Sequence, residues 1–372
     1  MAKRTRLKKP IIKTTQQLLK LQQQLTKQVK RKLPEQLKAM NVLLTRPDPQ
    51  GRGIWKKHRF IAPAFSKVTL VPQLDYYIFE ASASVRHPST EGMPLVVMLH
   101  GCQQDSALFA QGSQMNVVAQ RNGFVVLYPQ QSRRYHLTNC WHWYDTDKHH
   151  QGMAEAHSIM SIIQSTIMMH RLNPNKVFVV GLSAGAAMAG ILASNFPSQF
   201  AGLAMHSGPV LGLAYDAQSA VSTMRDPQVV SDSTLAAAMD GFAPPQKLQL
   251  PTIILQGEKD KIVHPRHATE LVKQLLHFNQ LPMNSLAKST DFLQGTTKEY
   301  NQSLYYDGRK RIIELIRIKH LDHAWAGGDH RLPFNSRHGP HASQLIWQFF
   351  KRYVIVLSTF TMQQTIPYEQ ND

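Results

Sequence analysis

Val177-Phe178-Val179-Val180-Gly181-Leu182-Ser183-Ala184-Gly185 sets a short β-branched, apolar run directly against a G-x-S-x-G turn. Residues 186–195 continue with small and apolar side chains over a helical length. Strand, sharp turn with a serine at its apex, then helix is the context that a nucleophile elbow requires. The two glycines let the backbone turn tightly and let the helix approach the strand. Such a turn leaves the Ser183 hydroxyl exposed above the end of a sheet. The pentapeptide alone recurs by chance as a glycine-rich turn with an incidental serine; the flanking strand and helix give it weight.

Apolar runs recur on both sides of this elbow. Leu95–Leu99, 123–128 and 251–256 read as buried parallel strands. Residues 66–72 and 75–84 suggest edge strands, antiparallel to one another, and 200–207 holds another short one. Helical patterns fall at 107–120, 153–170, 217–240, 266–278 and 340–352. Asp307-Gly308, between apolar stretches 301–306 and 311–318, is a hairpin turn signal. Pro129 should stop the strand before it, and the polar stretch 281–298 reads as a loop. Strands alternating with helices in this order predict a doubly wound, mainly parallel α/β sheet with helices on both faces.

The chain of 372 residues is long enough for one large domain with a sizeable core. Its formal charge of +18 is unevenly placed, with 17 Lys and Arg against only Glu35 and Asp48 in residues 1–60. The remaining 312 residues are close to balance, with 25 basic and 22 acidic side chains. The basic pI therefore describes an arm and is no argument for a nucleic-acid-binding body; reader motifs and aromatic-basic interleaving are missing. Within the arm, Leu18, Leu21, Leu25, Val29 and Leu33 recur at spacings of three and four, until Pro34. This predicts a basic amphipathic helix over 14–33, suited to an anionic or apolar surface, to the body of the protein or to a second copy. Residues 41–60 read as a linker, 1–59 as the N-terminal arm, 60–352 as the folded domain, and 353–372 as a tail of undecided packing. The N-terminus carries no apolar signal-peptide core and the chain no transmembrane span, so a cytoplasmic location is expected, with secretion by a route not visible in the sequence as the alternative. Two cysteines, Cys102 and Cys140, are too few for a disulfide scaffold or a structural zinc site.

A serine hydroxyl needs a general base, and the base an orienting carboxylate. Asp260, just past the strand 251–256, is the preferred acid, with Glu258 and Asp216 as rivals. Among His320, His323, His330, His338 and His341, the base is expected to be His323, because it precedes the small-residue loop Ala324-Trp325-Ala326-Gly327-Gly328. An oxyanion hole needs two backbone N–H groups. Ala184 supplies one, and His100-Gly101-Cys102 the second through Cys102, which leaves His100 a structural role. Trp141, Trp143 and Tyr144, with Trp325 beside the candidate base, are either a satellite core or the wall of an apolar substrate site. No metal or cofactor is called for by this chemistry.

These pieces resemble the poly(3-hydroxybutyrate) depolymerase family of α/β-hydrolase esterases, whose neighbours include feruloyl and acetylxylan esterases. The resemblance is carried by Pro94-Leu-Val-Val-Met-Leu-His-Gly-Cys-Gln103, Cys140-Trp-His-Trp143, Gly152-Met-Ala-Glu155 and Val180-Gly-Leu-Ser-Ala-Gly-Ala-Ala-Met188. His206-Ser207-Gly208, Asp260-Lys-Ile-Val-His-Pro265, His323-Ala-Trp-Ala-Gly-Gly328 and Gly339-Pro-His-Ala-Ser343 complete it, in order, over roughly 68–352. It implies an α/β-hydrolase fold with Ser183 as nucleophile, Asp260 as acid, His323 as base and Cys102 in the oxyanion loop. It also implies a Cys102–Cys140 disulfide, as some relatives have, although a reducing compartment would keep the thiols free. The chain departs from the family in having Asp322, not glycine, before the histidine and His142 between the two tryptophans. Secreted relatives carry a signal peptide and a polymer-binding domain, neither of which is evident here. The implied function is an intracellular depolymerase of polyhydroxyalkanoate polymer or oligomers, with 14–33 holding the enzyme on a storage granule. A feruloyl, acetylxylan or general carboxylesterase is the alternative, and a non-catalytic interaction protein on the same scaffold a further one.

Overall fold

The computed structural model describes residues 53–82, 91–147, 150–225, 230–242 and 249–355. The expected basic helix over 14–33 and nearly all of the tail 353–372 lie outside them. Contacts group Asp48–His330 with Phe334–Asp372 as one compact unit, described here; of the other grouping, Met1–Pro47 with Arg331–Pro333, only the last three residues are described.

Along the unit run β1 (Ile54–Ile61), β2 (Gln73–Glu80), β3 (Leu95–Leu99), α1 (Ser106–Ser113), α2 (Met115–Asn122), β4 (Val125–Gln130), α3 (Gln151–His170) and β5 (Val177–Leu182). There follow α4 (Ala184–Asn195), β6 (Gly202–His206), α5 (Ala217–Arg225), α6 (Asp232–Asp240), β7 (Thr252–Gly257), α7 (Arg266–Phe278), β8 (Lys288–Phe292), β9 (Tyr300–Asp307), β10 (Lys310–Ile318) and α8 (Ala342–Phe350). Ten strands form one sheet in the order β1-β2-β4-β3-β5-β6-β7-β10-β9-β8. The six central strands, β4 through β10, are parallel, and the antiparallel pairs lie at the two edges. Mainly parallel and covered by helices, this is the architecture of α/β-hydrolases.

Side chains alternate across the pleat, so one strand feeds two cores. Leu95, Val97 and Leu99 of β3 pack with Ile159 and Ile163 of α3, Met188 and Leu192 of α4, and Leu271 and Leu275 of α7. Val96 and Met98 face the other way, onto Phe109 of α1, Val118 of α2 and Phe350 of α8. Burial on both faces is why the central strands read as unbroken apolar runs.

The edges differ from expectation. Residues 66–72 form no strand; the partner of β2 is β1, which lies within the segment read as linker and moves the start of the fold from Phe60 to Ile54. Lys56, Lys57 and Arg59 hid it, although Lys57 and Arg59 both pair with Asp75 across the ladder. β8 lies in the expected loop 281–298, its polar residues held to β9 by Ser289–Ser303 and Asn301–Asp291 side-chain hydrogen bonds and by stacking of Phe292 on Tyr300. Pro129 does not stop β4. The β3 ladder on β4 ends at Leu127, so Pro129 pairs with β2 alone and its missing N–H costs no hydrogen bond to β3. Gln114, at φ 58°, breaks the expected single helix 107–120 into α1 and α2. Among the described residues, no helix is long and apolar enough to cross a membrane.

Candidate active site

Ser183 joins the end of β5 to the start of α4 with φ 58° and ψ −122°. A non-glycine residue held there stores about 1–3 kcal/mol of strain, sustained only by tight surroundings. Those surroundings are the two motif glycines. A Cβ on Gly181 would overlap the Gly185 carbonyl, and one on Gly185 would overlap the carbonyls of Leu99 and His100. The Ser183 N–H donates to the His206 carbonyl at 2.9 Å, which fixes the turn to β6.

His323 is the histidine that reaches this serine. Its Nε2 lies 3.0 Å from Ser183 Oγ, and its Nδ1 lies 2.8 Å from Asp260 Oδ2. Asp260 follows β7 and His323 follows β10, neighbouring parallel strands whose ends bring the two side chains together. The Asp260 carboxylate is fully used. Oδ1 accepts the N–H groups of Ile262 and Val263, both at 2.9 Å, and Oδ2 accepts the Gln256 amide at 3.1 Å beside His323. Burial works against ionisation of Asp260, but the His323 hydrogen bond and charge, with the two backbone donors, hold its pKa below the usual carboxylate value. The rival acids are elsewhere: Glu258 is exposed, and Asp216 accepts the Ser219 N–H at the start of α5. Of the rival histidines, His341 caps α8 and His330 is exposed.

The turn 100–104 lies against the serine, since a Cβ on Gly101 would sit 3.4 Å from Ser183 Cβ. Among the described residues, no acceptor takes the N–H of Cys102 or of Ala184. Ala184 opens α4, where unpaired N–H groups and the helix dipole favour negative charge. Cys102 is disulfide-bonded to Cys140. Three hydrogen bonds tie the same two segments: Gln103 N–H to Thr138 O at 2.6 Å, Asn139 Nδ2 to Gln104 O at 3.1 Å and Trp141 Nε1 to His100 O at 3.0 Å. His100 is fully buried, donating from Nδ1 to Gly101 O and accepting the Gln131 N–H at Nε2; burial lowers its pKa and keeps it neutral.

The aromatic residues are placed differently from a substrate wall. Trp141 and Trp325 are fully buried and Trp143 nearly so. Trp141 supports the 100–104 turn from beneath, and Trp325 packs edge-on to Phe109 and stacks on His206. Of the four, only Tyr144 keeps appreciable exposure. Of the two readings of these aromatics, the burial of the three tryptophans fits the satellite core and not a substrate wall: long-range packing draws them inside.

Two residues without an expected role now acquire one. His206 receives the Ala326 N–H at Nε2 and donates from Nδ1 to Ser207 Oγ. Burial, with nearby His323, pushes its pKa down to about 3. Glu155, fully buried, accepts Gln131 Nε2, the His142 N–H and His142 Nδ1, and so anchors the loop that carries Cys140. Both stand in motifs quoted above, but sequence does not show what they touch. Among the described residues, no three His, Cys, Asp or Glu side chains group as a metal-ligand set.

A family model described as esterase PHB depolymerase matches residues 82–300. The chain is 33% identical over 190 residues to poly(3-hydroxyalkanoate) depolymerase C of Paucimonas lemoignei, covering 50% of this chain and 45% of that protein. It is 30% identical over 193 residues to feruloyl esterase B of Thermothelomyces thermophilus, covering 49% and 64%. Acetylxylan esterase A of Talaromyces purpureogenus is 27% identical over 255 residues, 63% of each chain. The matches thus span 45 to 64% of the length of these relatives. Among solved structures, the acetyl xylan esterase from Aspergillus awamori superposes with a TM-score of 0.59 at 18% identity, over 74% of this chain and 93% of that one, which shows the shared fold.

Proposed function

The chain belongs to the PHB-depolymerase esterase family, and from that premise we propose that it hydrolyses carboxylic esters with Ser183 as nucleophile. The observation that carries this reading is the continuous hydrogen-bond chain from Ser183 Oγ through His323 to Asp260. His323 Nε2 takes the serine proton as Oγ attacks the ester carbonyl, and ionised Asp260 stabilises the imidazolium that forms. The N–H groups of Cys102 and Ala184 hold the tetrahedral oxyanion. His323 returns the proton to the leaving alcohol, and a water, activated the same way, releases the acyl group from Ser183.

For the substrate, the relatives taken together favour a feruloyl, acetylxylan or related carboxylesterase. The second reading, a polyhydroxyalkanoate depolymerase acting on polymer or oligomers, is favoured by the 33% match to depolymerase C. Under that second reading, residues 14–33 hold the protein at a polymer granule, and deleting 1–40 should abolish co-sedimentation with granules while sparing soluble esters. The deciding experiment compares acetylated xylo-oligosaccharides, feruloyl esters, hydroxybutyrate oligomers and p-nitrophenyl esters side by side. Turnover of hydroxybutyrate oligomers alone selects the second reading. Failure of a fluorophosphonate to label Ser183 in folded protein, together with no hydrolysis of any ester, would sink both.

A further inference from the structure

A cleft of about 230 Å³ opens beside the oxyanion-side loop, and the ester chemistry leaves it unused. Asp75, Arg133 and Asn139 line it together with the amide-bearing Gln73, Gln130 and Gln131. No apolar side chain is among its lining residues, unlike the apolar wall that an acyl group calls for. Since a water takes about 30 Å³ of liquid, the space suits a ring-sized ligand.

The polar groups come in both senses. Arg133 is exposed and pairs with no described carboxylate, so its guanidinium donors are available. Asp75 is kept ionised first by its Arg59 hydrogen bond and also by Lys57, and a carboxylate with about four lone-pair sites retains room for a further donor. Asn139 is 8% exposed. Its Nδ2 donates to Gln104 O at 3.1 Å, which settles the orientation of the amide and leaves Oδ1 without a partner among the described residues. Buried to that degree, this oxygen offers the cleft no acceptor, and Asp75 supplies that sense instead. Donors and acceptors side by side, with charges of both signs, match neighbouring hydroxyls that each give and take a hydrogen bond. Gln130 and Gln131 spend their amides on Ser106, Ser132, Cys140 and Glu155, so the groups left for a ligand are those of Arg133, Gln73 and Asp75. An anion would meet Asp75, and an acyl chain would leave Arg133 and Gln73 unpaired.

The position is equally specific. Gln130 ends β4 and pairs with Asp75 across the β2 ladder. β4 neighbours β3, which neighbours β5, the strand that ends at Ser183. At about 4.8 Å per strand, the cleft lies roughly 10–15 Å from Ser183 along the same edge of the sheet. Gln131 donates its N–H to His100, and Asn139 immediately precedes Cys140, so one wall is the reverse side of the loop that braces the oxyanion turn.

We propose that this cleft is a carbohydrate subsite, binding a polyhydroxylated ring of an oligomeric ester whose scissile bond lies at Ser183. The role of the ring as part of a substrate rests on the esterase reading; its binding does not. Full-chain protein carrying Ser183→Ala is titrated calorimetrically with xylotriose and with a hydroxybutyrate trimer, with and without Arg133→Ala or Gln73→Ala. Xylotriose should bind, and each added substitution should weaken it about tenfold, with the trimer affected far less. In the active protein, Arg133→Ala should lower kcat/KM for acetylated xylotriose, through KM, about tenfold more than for p-nitrophenyl acetate. No binding of xylotriose, binding indifferent to both substitutions, or equal losses for the trimer would each overturn the subsite. Arg133-dependent binding in a protein that hydrolyses none of these esters would instead retain the subsite and remove the esterase reading.

Discussion

Ser183 sits between two walls built on different principles. On one side, Asp260 and His323 hang from the ends of the neighbouring strands β7 and β10, and the turn that carries Asp260 supplies its donors from Ile262 and Val263. On the other, the turn 100–104 is braced from outside, by a disulfide and three hydrogen bonds to residues 138–141. The first wall is local and electrostatic; the second is held at long range and is mechanical. A substitution on the first should damage chemistry with little loss of fold. A substitution on the second should cost stability first and rate second.

The sharpest way to break that contrast lies on the first wall. Ser183→Ala and Asp260→Asn should each lower kcat for a p-nitrophenyl ester by about 10⁴-fold or more, with a nearly unchanged denaturation midpoint. The asparagine keeps the shape of Asp260 but loses the charge that stabilises the His323 imidazolium. An Asp260→Asn protein that retains a tenth of its rate would show that another acid serves the base.

On the second wall, replacing both Cys102 and Cys140 by serine frees a loop that the disulfide closes over a sequence separation of 38. Chain entropy sets the loss at about 4 kcal/mol, read as a lower urea midpoint. The fall in kcat should stay within about 10²–10³-fold, the worth of one misplaced oxyanion donor. A rate loss as large as that of Ser183→Ala at unchanged stability would reverse the assignment of the two walls.

Two histidines bonded to Ser183, one through its side chain and one through its backbone, carry the contrast into pH. His323 keeps its side chain 11% exposed, whereas His206 is wholly buried and has its pKa pushed to about 3. A histidine depressed below its usual 6.5 leaves the unfolded chain binding more protons in that window. Its contribution is therefore intact above pH 6.5 and is lost as pH falls toward 3. Removing that titration with His206→Gln should shrink the stability difference between about pH 7 and pH 5 by about 2 kcal/mol. An undiminished difference, measured by urea unfolding at both pH values, would assign the acid sensitivity to other groups, of which buried His100 and His267 are depressed in the same sense.

What was legible in the sequence follows the same division. The elbow, the central strands and the order of Ser183, Asp260 and His323 depend on short stretches whose periodicity and glycines act locally, and the structure links Ser183 and Asp260 through hydrogen bonds to the two ring nitrogens of His323. The edge strand β1 was hidden because Lys56, Lys57 and Arg59 look like a solvated run until Asp75 is seen across the ladder. The tryptophans were ambiguous for a related reason. A dense aromatic loop has the same composition whether its rings line a cleft or brace a turn, and only the partners 41 residues away from Trp141 decide.

The smallest effect tests that last point. Trp141→Phe keeps an aromatic ring in the core but removes the Nε1 donor to the His100 carbonyl. The carbonyl is buried beneath the oxyanion turn, so losing its partner should destabilise the fold by about 1–2 kcal/mol. As a brace, Trp141 touches no ester, and KM for a p-nitrophenyl ester should stay within about twofold of the parent. Tyr144→Ala is the counterpart: it trims the one partly exposed ring of the set, so it should disturb KM more than the melting temperature. A Trp141→Phe protein with unaltered stability and a strongly raised KM would return the tryptophan to the substrate wall and leave the second wall braced by the disulfide and the remaining hydrogen bonds.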